Sequence, residues 1–165
     1  VGHFKMLVDR EVNAIYEDGA IYLTNEQESE MDMIDDLVHE IAHSNEKRFQ
    51  EAVYGDGRLE KEFLSKRVAL KNILSHQEKR YNIPIHFGID PTYNEVIDDF
   101  LYKEVTYNAL WQMVPGIFPS PYAATSLREY FARGFEEYFM GDPRDLKKVC
   151  PILYSKMYNL HNMED

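Results

Sequence analysis

Residues 39 to 43 read HEIAH, two histidines four positions apart with a glutamate directly after the first. On a helix at about 100° per residue, His39 and His43 lie about 40° apart and one turn above each other, so both imidazoles can reach one cation. Glu40 projects to the flank of the pair, where a carboxylate can contact a metal-bound water without being a ligand. The pattern predicts zinc and metal-assisted hydrolysis. A catalytic zinc site takes three protein ligands and keeps one position open, so a third donor must come from elsewhere in the chain.

The residues after His43 are SNEKRFQEAVYGDG, without the third histidine and glycine that would complete a compact three-histidine motif. A carboxylate from another helix is then required. In SLREYFARGFEEYF, residues 126 to 139, the apolar face is Phe131, Phe135, Tyr138 and Phe139. Glu129 and Glu136 lie nearly opposite that face, two turns apart, and either could ligate; Glu137 projects more to the side.

These side chains need elements to hold them. Two β-rich runs, Val12 to Glu17 and Ala20 to Thr24, flank Asp18-Gly19, a dipeptide suited to the positive φ angles of a type I′ turn, so a hairpin is expected. Ser29 is an N-cap candidate, and Ile34, Leu37, Val38 and Ile41 recur at helical spacing. A helix should therefore run to about Glu51 with the histidines opposite its apolar arc. GDG at 55 to 57 breaks it, and a second helix should run from Leu59 to about Tyr81. A third is expected from Thr92 through Met113, followed by the loop VPGIFPSP. Ser126 should cap the glutamate-bearing helix, Gly141-Asp142-Pro143 should end it, and Pro151 should interrupt a last one. The expected fold is α+β, mainly helical, with a short N-terminal hairpin, in one domain over 1–165.

At this point a resemblance becomes specific. HEIAH, the preceding strand IYLTN and the run PYAATSLREYFARGFEEYF at 121 to 139 resemble the protease domain of anthrax lethal factor and the related Pro-Pro endopeptidases. That family has HExxH, then a tyrosine seven residues before a ligand glutamate in a segment of the type ExFAEAF. Here Tyr122 stands seven before Glu129, which is followed by Tyr130-Phe131-Ala132 and Phe135. The resemblance implies a zincin fold of the gluzincin type and a zinc endopeptidase, with His39, His43 and Glu129 as ligands of one Zn2+. It also implies Glu40 as the base and Tyr122 as a hydrogen-bond donor to the oxyanion. A secreted or delivered, toxin-type protease would fit the same family. Two features depart from it: the interval from His43 to Glu129 is wide, so that roughly 58–113 reads as a helical insertion, and Arg133 stands where the family often has an acid. Arg133 could hold Glu129 or a substrate carboxyl.

A peptide or protein substrate is the expected partner, added as a strand along Ala20–Thr24 as on the edge strand of zinc proteases. The formal charge of −11 repels phosphate backbones and argues against nucleic acid, while a basic peptide suits the field. No apolar run is long enough for a membrane span. The amino end lacks both a signal-peptide layout and an initiator Met, which suggests an excised or processed chain. His3, His76, His86 and His161 have no partner at ligand spacing and read as surface or packing residues. The single cysteine, Cys150, reads as a buried thiol, and Asp32 and Asp36 could support the metal helix. Two rival readings are a repressor-cleaving metalloprotease of mobile elements, whose third ligand lies closer, and a non-catalytic module descended from a metalloprotease.

Overall fold

In the computed structural model, which describes residues 1–163, Asp18 and Gly19 hold φ angles of 50° and 81°. They turn β1 (Ala14–Glu17) back onto β2 (Ala20–Leu23). The pair is antiparallel, with Glu17 opposite Ala20 and Ala14 opposite Leu23. Closing a two-residue loop makes Glu17 and Ala20 a hydrogen-bonded pair, so the backbone groups of Tyr16 and Ile21 point away from the partner strand. The described residues are α+β and mainly helical, and this hairpin is their two-stranded sheet.

The chain divides into two compact units, Val1–Gln50 and a second beginning at Glu51. In the first, a short helix α1 (Lys5–Arg10), too short to show an apolar period, precedes the hairpin. Gly2 donates to Leu23 O at 2.9 Å, and Phe4 meets Tyr22 edge-on with centroids 5.3 Å apart. Helix α2 (Glu30–Arg48) packs on both strands. Its Ser29 hydroxyl accepts the Asp32 N–H at 3.1 Å, the expected cap. The helix stops at Arg48, because Phe49 leaves helical geometry, and a separate turn α3 (Gln50–Tyr54) follows. The apolar arc is shallower than its periodicity implied: Ile34 is 38% exposed, and the deepest residues of α2 are Ala42 and His43.

In the second unit, α4 (Arg58–Ser75) ends before the expected Tyr81. His76 closes it, its N–H on Ile73 O and its ring Nδ1 2.7 Å from Asn72 O. The expected helix from Thr92 to Met113 is broken. Thr92 turns back onto Asp90, and Asn94 caps α5 (Glu95–Asp99) through Val96 N–H and Ile97 N–H. A π-helical turn, Phe100–Val105, follows, with Thr106 N–H bonded to Leu101 O at 3.0 Å. Thr106 then takes φ 74° and ψ 145°, a conformation costly for a β-branched residue at roughly 1–3 kcal/mol. Its hydroxyl caps α6 (Tyr107–Met113).

A 3₁₀ turn, Tyr122–Ala124, leads into α7 (Leu127–Met140), with Ser126 as the N-cap. Two further helices, α8 (Pro143–Val149) and α9 (Pro151–His161), are separated at Cys150, as Pro151 implied. Cys150 offers α9 no capping side chain. Glu62 of α4 does so instead, accepting from Ile152 N–H at 2.8 Å, Leu153 N–H at 3.1 Å and the Tyr130 hydroxyl at 2.8 Å. Phe63, Phe118 and Tyr130 meet above this cap, and Gly134 lets α7 approach α9 so closely that a Cβ there would overlap Leu153.

Arg67 of α4 is fully buried. Its guanidinium donates to Ala124 O, to Phe87 O at 2.6 Å and to Thr125 O at 2.7 Å, between the Phe63 and Phe87 rings. Burial lowers its pKa to about 10, so it remains a cation at neutral pH. Arg67→Met would leave three buried carbonyls short of a donor. Urea or thermal unfolding should show a loss of about 3 kcal/mol or more, a Tm fall of roughly 6–12 °C, and Arg67→Lys should recover only part of it.

Candidate metal centre

Within α2 the Nε2 atoms of His39 and His43 lie 3.1 Å apart, with the rings perpendicular at 87°. His43 Nδ1 is 3.1 Å from Glu46 Oε2. A carboxylate can only accept, so the His43 Nδ1 carries a proton toward Glu46, and its Nε2 is the nitrogen that faces His39. A glutamate behind a metal-binding histidine fixes its tautomer and ring orientation in this way. The donor chemistry fits zinc. Two imidazole nitrogens 3.1 Å apart, each about 2.0–2.1 Å from one zinc, would subtend roughly 100° there, close to tetrahedral.

The candidate carboxylate stands on α7. The Ser126 hydroxyl accepts the Glu129 N–H at 3.2 Å, which seats Glu129 in the first turn of the helix. His39, His43 and Glu129 form a group that could hold a metal ion, one ligand atom from each lying within 4.8 Å of the others. Of the two carboxylates that periodicity left open, Glu129 belongs to this group, whereas Glu136 accepts from Arg133 Nη1 at 2.7 Å. Asp32 and Asp36 are occupied at the start of α2, accepting from Ser29 Oγ and Gln27 Nε2. The acid beside His43 is instead Glu46.

Glu40 accepts the backbone N–H of Tyr16 at 2.6 Å. That N–H points outward from β1, so the hairpin edge beside the HEIAH glutamate is that of β1. The outer edge of β2 is partly taken: Gly2 pairs with it, donating to Leu23 O and accepting from Asn25 N–H at 3.3 Å. A peptide added along Ala20–Thr24 would therefore meet Ile21 free to pair but Leu23 already engaged through its carbonyl.

Tyr122 sits in the 3₁₀ turn, its carbonyl accepting from Thr125 N–H at 3.1 Å and Thr125 Oγ1 at 2.8 Å. Burial pushes its hydroxyl up to about 12, reinforced by the negative charges of Glu129 and Asp98 and opposed by Arg133. The phenol is thus a protonated donor at neutral pH. Cys150 is buried and its thiol is pushed up by burial, as expected of a packing residue. His3 pairs with Glu26 at 3.6 Å and His161 lies 3.1 Å from the Tyr138 hydroxyl.

No family model matches the chain, and no characterised protein or solved structure gives a significant match. No helix among the described residues is long and apolar enough to cross a membrane.

Three groups that hold the candidate residues or the segments carrying them were not identified from sequence: Glu46, the Tyr16 amide and Arg67. Glu46 stands three residues after His43, a spacing that puts both on one helix face, so its signal was present. The Tyr16 amide and Arg67 act on or through the backbone, which leaves no mark in residue types. Glu46→Gln keeps the shape of the side chain but removes its charge. Competition with a zinc indicator should show affinity weakened about 10- to 100-fold with the fold intact, and unchanged affinity would remove Glu46 from the site.

Proposed function

We propose that the chain is a zinc-dependent endopeptidase of zincin type, with His39, His43 and Glu129 holding one zinc. The observation that carries this reading is the three-donor group on two capped helices, with Glu40 adjoining it in sequence. The resemblance of HEIAH and of Tyr122 with Glu129 to lethal factor-type proteases supports the same reaction, and with it a delivered or secreted role. A zinc ion held there would supply a Lewis acid that lowers the pKa of water to about 7.

Glu40 is the proton carrier. Tyr16 N–H fixes its Oε2, which leaves Oε1 to take the proton of the attacking water and return it to the leaving amine nitrogen. Tyr122 donates its hydroxyl proton in a hydrogen bond to the oxyanion that forms as the scissile carbonyl carbon becomes tetrahedral. The peptide substrate adds to the hairpin as an extended strand, its side chains alternating between the two faces of the sheet. With 29 acidic against 18 basic residues, the protein field favours basic peptides.

Protein purified without chelator should carry about one zinc per chain by elemental analysis, and His39→Ala or Glu129→Ala should carry little. Full zinc in Glu129→Ala would move the third ligand elsewhere. In the same preparations Glu40→Gln should keep its metal and fold, yet lose about 10²–10⁴ in turnover; cleavage at the wild-type rate would remove Glu40 as the base.

Tyr122→Phe separates catalysis from packing, because it keeps the ring and removes only the donor. Turnover should fall roughly 10²–10³-fold with zinc content unchanged. A packing role would leave turnover intact, so rate and metal content measured on one sample decide between them.

A further inference from the structure

Tyr122 is held from two sides by groups that the proposed reaction does not use. The Arg133 guanidinium lies over its ring, 5.2 Å from the centroid. Tyr107 meets the same ring almost at right angles, 86° between planes with centroids 6.2 Å apart. Both contacts have the geometry that an aromatic quadrupole favours: a cation over the negative face, and a second ring edge-to-face. Neither neighbour is loosely placed. Arg133 Nη1 is anchored on Glu136 Oε2, one turn along α7. Its Nε is buried and has no hydrogen-bond partner among the described residues. Tyr107 is the first residue of α6, immediately after Thr106 with its strained φ of 74° and its hydroxyl cap. A further ring, Tyr102 in the π-turn, packs on Tyr107 at 5.6 Å.

We infer that Arg133 and Tyr107 are positioning residues for Tyr122, fixing the side-chain rotamer in which its hydroxyl faces the reacting carbonyl. The inference rests on the reading of Tyr122 as the oxyanion donor, and it gives a role to two parts of the chain that depart from the lethal factor pattern. Arg133 occupies a position that the family often fills with an acid, and Tyr107 comes from the segment that reads as an insertion. An oxyanion donor is effective only if it is already aimed when charge develops, since a freely rotating phenol would lose rotamer freedom at the transition state. The turn that carries Tyr122 is short, and its own backbone bonds set the Cα but not the ring. Arg133 and Tyr107 supply what the turn does not. The strain at Thr106 then has a structural purpose, because a relaxed φ there would swing α6 and its first residue away from the Tyr122 ring.

The test has one readout that needs no substrate and one that does. In protein carrying ¹³C-labelled tyrosine rings, the Tyr122 signals, assigned by their loss in Tyr122→Phe, should be single and displaced by the Tyr107 ring. They should broaden or move toward averaged positions in Arg133→Met and in Tyr107→Leu, with recovery in Arg133→Lys and Tyr107→Phe. Unchanged signals in Arg133→Met and Tyr107→Leu would overturn the inference whether or not the protein cleaves peptides. On the zinc-loaded protein, with the best-cleaved member of a fluorescence-quenched peptide library, Arg133→Met should lower kcat about 2- to 30-fold with KM and zinc content unchanged. The double variant Tyr122→Phe/Arg133→Met should be no slower than Tyr122→Phe alone, since Arg133 acts through a hydroxyl that is already gone. Multiplying losses would show that Arg133 works independently and would overturn its assignment. A Tyr122→Phe variant with full turnover would overturn the oxyanion reading alone, while the ring signals still decide whether the lock exists. Arg133→Gln, which removes the cation and keeps a polar side chain, stands in should Arg133→Met fold poorly.

Discussion

The buried guanidinium of Arg67 joins three backbone carbonyls that no regular element could satisfy. Phe87 belongs to the loop between α4 and α5, and Ala124 and Thr125 to the turn before α7. A loop carbonyl taken out of water costs about 1–3 kcal/mol unless it finds a donor, and these cannot pair with a strand or a helix. One planar cation with several fixed donors serves all three, and the Phe63 and Phe87 rings close over its faces. The position of α7 follows from it. Thr125 is held, so Ser126 is held, and Ser126 caps the helix that begins with Leu127-Arg128-Glu129. Tyr122 stands at the other end of the same turn. A segment that looks like an insertion between the two motifs is thus what sets the second motif in place.

The first unit achieves its order by a different route. Its small sheet contributes little area, and its helix is only weakly two-faced, with its apolar arc partly exposed. Specific polar contacts do the arranging: Ser29 starts the helix, Glu46 orients His43, and the Tyr16 amide holds Glu40. Each of these is directional, whereas apolar burial is not. The hairpin therefore acts on the helix directly, because a strand that presents an amide to Glu40 defines where that carboxylate can be.

Elements with local signals were legible in the sequence. Asp18-Gly19, Ser29, Ser126 and Pro151 each act on their own backbone within a few residues, and each does what its type implies. HEIAH was legible because helical spacing alone brings the two imidazoles together. What escaped has a shared cause, dependence on distant or backbone partners. The helix expected through 92 to 113 is broken by an i to i+5 closure at Thr106, which the apolar period does not register. The burial of His43 ran against the expectation of an open histidine face, because Glu46 satisfies its ring and makes burial affordable. Helix α1 is too short for any period to show, and the carbonyls that Arg67 serves lie 20 to 58 residues away in the chain.

Gly134 carries a consequence for the order in which the chain becomes structured. A glycine inside a helix costs about 1 kcal/mol relative to alanine, so α7 is weakened at its centre by the residue that admits Leu153. The compensation arrives from α9, which is made later on the ribosome than α7. Until Leu153 has emerged and docked, the helix that carries Glu129 lacks its covering partner and the Glu62 carboxylate lacks the α9 amides it accepts. The packing around the helix that carries Glu129 is accordingly a late product of synthesis, complete only after α9 has docked.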